Sequence, residues 1–166
     1  MTPQREGISE SEIVRTRYFT LSSSDRIDAR KVPTQKFDIN GEIFEFHTIN
    51  TVVKSGTSEK WILRSLKSHS FHIHIVPFLV TEIHTSNSNL LNDKENYKAL
   101  VTDQISNGPI WRDVITVPPK GNATILVKFN AHDPVSNDPF VGRSVYHCHM
   151  ENHSDLGMIH IFQVNP

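Results

Sequence analysis

The chain has 166 residues, enough for one domain with a single core. Its 17 basic and 18 acidic residues leave a formal charge of -1, so there is no electrostatic case for nucleic acid or an anionic membrane as a partner. No apolar run approaches the ~20 residues of a membrane span, and the single cysteine excludes an internal disulfide and leaves the redox compartment unmarked.

Residues 1–12 are polar and read as a tail or the remnant of a linker. The start, MTPQREGISESEIVRTR, has no apolar h-region and does not read as a secretory signal. Residues 13–21 alternate as a first strand, and 22–30 read as a polar loop. Residues 36–39 and 42–46 flank Asn40-Gly41, a dipeptide suited to a type I′ hairpin turn. Strands follow at 51–54 and 59–66, with Trp61, Ile62 and Leu63 expected in the core. Residues 71–82 read as one strand bent at Pro77. Residues 84–109 form a polar insertion with a short helical turn near 94–100. Strands at 111–117, 123–129, 144–149 and 157–164 complete the chain. Short strands with turn signals every eight to twelve residues predict an all-β Greek-key sandwich, with residues 13–166 as one domain.

Ten histidines is the outlying count. His147, His149 and His153 surround Cys148, and Met158 follows, in YHCHMENHSDLGM. A thiolate, imidazoles and a thioether so close together form a soft donor set, which favours copper. One further imidazole completes the two-His, one-Cys, axial-Met set of a blue-copper centre. The stretch SHSFHIH offers His69, His72 and His74. On a strand, side chains alternate between faces. His72 and His74 therefore share one face and His69 takes the other; His147 and His149 share one face and Cys148 takes the other. If the two strands are neighbours, Cys148 meets His69 on one side while four imidazoles gather on the opposite side. The bland alternative is a buried free cysteine beside a core methionine.

HSFHIH followed by VPF, and HCHMENHSDLGM near the C-terminus, resemble the copper signatures of the last cupredoxin domain of multicopper oxidases, the laccase-like enzymes. FDINGEIFEF, VVKSGTSEKWIL, WRDVITVPPKGNATILVKF and GRSVYHCH are similar to the same domain in the same order. The resemblance implies a cupredoxin-type sandwich. It implies type 1 copper held by His69, Cys148, His153 and Met158. It also implies that His72, His74, His147 and His149 are half of a trinuclear copper site that reduces O2 to water. Electrons from a small reducing substrate (a phenol, an aromatic amine or a metal ion) then pass through Cys148 to His147 and His149. Asp113, at a position the family commonly fills with Asp, is expected to hydrogen-bond near the metal.

The remaining histidines, His47, His84, His132 and His160, are isolated and supply no second His-x-His set. The missing ligands then come from N-terminal cupredoxin domains, a second subunit or self-association. A fragment or truncated product is favoured, because the chain begins where a final domain begins. The alternative is a stand-alone blue-copper electron carrier without oxidase activity. The family is mostly periplasmic or secreted, and the localisation of this chain stays open.

Overall fold

The computed structural model describes residues 7–28, 30–31, 33–87, 108–132 and 137–166. Among them, a 3-10 turn (Glu10–Glu12) is followed by eleven strands and one short α-helix in the order β1 (Ile13–Ile27), β2 (Pro33–Ile39), β3 (Thr51–Lys54), β4 (Ser58–Ser65), β5 (His69–Ile73), β6 (Phe78–Thr85), β7 (Ile110–Arg112), β8 (Val114–Val117), β9 (Gly121–Lys128), β10 (Gly142–Cys148), α1 (Glu151–Asp155) and β11 (Ile159–Asn165). One sheet runs β2-β1-β4-β9-β6-β7 and the other β3-β11-β10-β5-β8. This is the expected all-β sandwich of cupredoxin type. Two of its pairings are parallel, β1 with β4 and β3 with β11, and the rest are antiparallel.

The core lies between the sheets and is dominated by rings. Trp61, Tyr146, Phe71 and Phe78 are each 0% exposed. Alternation along β4 explains which of its residues reach it: Trp61 and Leu63 are buried, whereas Ile62 between them faces the other way and is only half-buried. The Trp61 indole N–H donates to Glu59 (2.9 Å), and the Arg17 guanidinium donates two bonds to the same carboxylate (2.6 and 2.9 Å). A buried carboxylate is tolerable because its lone pairs are matched by these donors.

Ahead of β1, Ile8 packs with Leu79 and Leu126. Glu10 pairs with Lys60 and Glu12 with Lys128 on the same side of the sandwich.

Several elements depart from the sequence reading. Residues 22–27, expected as loop, continue β1, because their main chain pairs with β2; Ser22 and Ser23 are half-buried, and only 24–27 are exposed. The Asn40-Gly41 turn forms with both φ values positive (56° and 83°), yet its hairpin is a single bridge, Ile39 with Glu42. Beyond Glu42 the chain leaves the sheet, and the Phe44 amide donates to the Gly157 carbonyl (3.0 Å). The stretch expected as one strand bent at Pro77 is two strands in different sheets. β5 ends at Ile73, Ile75 adopts φ 67° in a tight turn closed by the Val76 amide on the His74 carbonyl (2.9 Å), and β6 begins in the facing sheet. Pro77 can donate no ladder bond, which makes that point a natural crossing. The expected strand 111–117 divides likewise at Asp113 into β7 and β8. The expected helical turn near 94–100 lies outside the described residues.

Candidate metal centre

β5 and β10 are antiparallel neighbours, with His147 opposite His72 and Cys148 opposite Phe71. That register turns the alternation argument into geometry. Residues opposite one another share a face, so His147 and His72 point out together, while Cys148 and Phe71 point in. His69, two residues before Phe71, is on the inner face, diagonally beside Cys148. β10 stops at Cys148, where the Cys148 amide donates to the Met158 carbonyl (3.0 Å) and the His149 amide to the Ser70 carbonyl (2.5 Å). The chain then forms α1, which carries His153, and the Met158 amide donates to the His153 carbonyl (2.9 Å). The loop from Cys148 to Met158 is thereby closed on itself.

Inside, three donor atoms converge. Cys148 Sγ lies 3.4 Å from His153 Nδ1 and 3.8 Å from His69 Nδ1, and the two Nδ1 atoms are 3.1 Å apart. Cys148 and Met158 are 0% exposed and His69 is 1% exposed. Burial pushes His69 down to about 4, with the nearby His153 and Lys67 adding to the effect. Burial lowers His153 as well, again with Lys67. Both rings are therefore neutral at pH 7, with lone pairs free to ligate. Burial raises the Cys148 thiol, while the backbone amides of Met150 and Ser70 hydrogen-bond its sulfur and pull the other way. A soft cation held by this sulfur would favour the thiolate further in the same direction as those amides.

Outside, the four other imidazoles cluster. His72 has ring centroids 4.8 Å from His74, 5.3 Å from His147 and 5.3 Å from His149. His147 and His149 stack at 5.9 Å. The tautomers of two rings follow from their partners. His72 Nδ1 contacts the Asp113 carbonyl (2.7 Å) and His147 Nδ1 the Cys148 carbonyl (2.9 Å). A carbonyl can only accept, so each Nδ1 carries the proton and each Nε2 keeps a bare lone pair. His147 Nε2 faces His74 Nε2 at 3.2 Å. Ligating atoms of His72, His74 and His147 all lie within 4.8 Å of one another, and His149 is the outlier of the four. Asp113 thus contributes its backbone oxygen at this cluster, and its side chain is not needed for that bond.

The family model for multicopper oxidases matches residues 18–166. The chain belongs to the multicopper oxidases. Copper is the metal of this family, and the buried sulfur and two neutral imidazoles of the inner cluster fit it as a donor set. Multicopper oxidase LPR1 homolog 1 of Oryza sativa subsp. japonica is 27% identical over 178 residues, covering 92% of this chain and 29% of that protein. The iron transport multicopper oxidase fio1 of Schizosaccharomyces pombe is 27% identical over 128 residues, covering 76% of this chain and 17% of the relative. Among solved structures, a multicopper oxidase from Campylobacter jejuni, described as a metallo-oxidase, superposes with a TM-score of 0.67 at 22% identity, covering 100% of this chain and 32% of that one. The chain therefore spans about a third or less of the length of each of these three relatives. No helix among the described residues is long and apolar enough to cross a membrane.

His47 and His132 are exposed. His160, another of the isolated histidines, is 2% exposed. It is held by Tyr146 Oη at its Nδ1 (3.2 Å) and the Glu42 carbonyl at its Nε2 (3.4 Å). Tyr146 Oη also meets Thr51 Oγ1 at 2.9 Å, which gives this buried hydroxyl a second partner. Two features near the inner cluster carry no sequence signal: Phe37, stacked on His153, and Lys67, whose charge acts on both inner rings.

Proposed function

We propose that this chain is the electron-accepting C-terminal domain of a multicopper oxidase, with type 1 copper held by His69, Cys148, His153 and Met158. A copper ion held there would supply a one-electron acceptor for a phenol, an aromatic amine or a metal ion, and His72, His74, His147 and His149 would hold half of a trinuclear copper site whose chemistry would be the reduction of O2 to water. The observation that carries this reading is the split of one tripeptide between two clusters. Cys148 aims its sulfur inward at two imidazoles, and His147 and His149 aim outward into the second cluster.

The chain's own parts have separable roles. The closed loop from Cys148 to Met158 presents the sulfur and the His153 ring from one short segment. The apolar inner face keeps water from the sulfur. The main-chain link and the His147 Nδ1–H bond to the Cys148 carbonyl join the two clusters over one residue. His153 is the only inner donor that is partly exposed, so its edge is where a reducing substrate reaches the centre. The other trinuclear ligands come from a further cupredoxin domain, a second subunit or a second copy of this chain.

Copper loading of the purified chain, followed by absorption and electron paramagnetic resonance spectroscopy, tests the reading. Intense absorption near ~600 nm, as for a thiolate–copper centre of the two-His, one-Cys kind, is expected, and Cys148→Ser removes it. Copper bound without that band in the wild type rejects the assignment.

A further inference from the structure

Two of the three converging donors are oriented by the sheet: His69 by β5 and Cys148 by β10. His153 is not. It sits on α1, a five-residue helix whose N-cap makes no side-chain hydrogen bond. Yet its Nδ1 is aimed at the sulfur. What lies flat on its ring is Phe37 of β2, with centroids 4.0 Å apart and planes 17° from parallel.

Phe37 is itself fixed from several sides. It is 6% exposed and pairs with Ser23 across the β1–β2 ladder. The next residue, Asp38, is 4% exposed and accepts hydrogen bonds from the Ser22 hydroxyl (2.5 Å) and the Gly41 amide (2.9 Å), with Lys36 Nζ 3.3 Å away. The Phe37 carbonyl lies beside Gly157, where an added Cβ would stand 3.1 Å from it. An edge strand of one sheet thus braces the metal loop of the other.

We propose that Phe37 is a positioning residue for the copper centre: its ring fixes the plane in which His153 presents Nδ1 to Cys148 Sγ. The inference rests on the copper assignment above. A near-parallel stack suits a ring made electron-poor by a bound cation, because the Phe face carries the negative end of its quadrupole. Residues that orient a ligand ring typically account for about 10–100-fold in metal affinity.

The experiment uses the full chain loaded with copper. Phe37→Leu keeps an apolar side chain but removes the flat face; Phe37→Tyr keeps the face. Competition against a copper chelator is expected to show about tenfold weaker retention in Phe37→Leu, with the charge-transfer band displaced, and near wild-type behaviour in Phe37→Tyr. In the diamagnetic cuprous wild type, the His153 ring protons are expected upfield of those of His69 through the Phe37 ring current. That measurement needs no variant to fold. Unchanged affinity and band in a folded Phe37→Leu, or His153 protons without the upfield displacement, overturn the role of Phe37 while leaving the copper centre standing. A wild type that never develops the thiolate–copper band removes the centre and this inference together.

Discussion

At the scale of single residues, the inner cluster is a compromise between burial and titration. His69 sits where a charged imidazole would lose its hydration without a carboxylate partner in contact. Its folded value of about 4 lies below the ~6.5 of an unfolded histidine. The unfolded chain therefore takes up a proton that the folded chain refuses. The stability from this residue is fully present above ~6.5 and is lost as pH falls toward 4, by about 3 kcal/mol in all. His153, His147, His74 and His160 are lowered in the same direction, so their losses add to it. Denaturant unfolding of the metal-free chain at pH 7 and pH 4.5 is expected to show a marked drop at the lower pH. His69→Gln is expected to flatten part of that slope, and an equal slope in both proteins counts against the buried neutral ring. The donors themselves were legible in the sequence, because alternation along two strands assigns each residue to a face without coordinates. His160 was not. Nothing local distinguishes a surface imidazole from one whose partners, Tyr146 and the Glu42 carbonyl, arrive from other strands.

At the scale of elements, the sequence marked where chain direction changes but not what the change achieves. Pro77 was legible as a bend; that the bend moves the chain from one sheet to the other depends on the facing sheet being there. The Asn40-Gly41 turn was legible too, but its second arm was misjudged, since residues past Glu42 are drawn to Gly157 rather than to the ladder. This packing gives Gly157 two burdens. Its φ is 117°, and an added Cβ would stand 2.9 Å from Ile43 Cβ and 3.1 Å from the Phe37 carbonyl. Gly56 carries only the first burden, with φ 77° and open space around its missing side chain. Gly157→Ala is expected to cost about 1–3 kcal/mol from backbone strain plus a crowding cost that Gly56→Ala lacks. Only the Gly157 change is expected to weaken copper retention, since it pushes on the strand that carries Phe37. Equal destabilisation by the two alanines, or equal copper retention, would show that β2 does not brace the metal loop.

At the scale of the whole molecule, the sandwich keeps its two clusters on opposite faces of one sheet. Under the proposed assignment the inner ligand set is complete within the chain, while the outer cluster is a set of imidazoles at the surface. Four imidazoles cannot satisfy three coppers, which need roughly three or four ligands each. The isolated chain is therefore expected to take up copper in two stages. The first ion binds tightly and develops the band near ~600 nm; the second binds weakly at the outer face and leaves the band unchanged. The double substitution His74→Ala with His147→Ala is expected to abolish the second stage alone, because those two Nε2 atoms already face each other at 3.2 Å. Oxygen uptake with a phenol is expected to stay at background while the chain is monomeric. It should rise only when a partner supplies further imidazoles, whether a separate cupredoxin domain or a second copy whose presence sizing would detect. Oxygen reduced to water by a strictly monomeric chain would mean that the outer histidines are sufficient alone, and the requirement for a partner would fall.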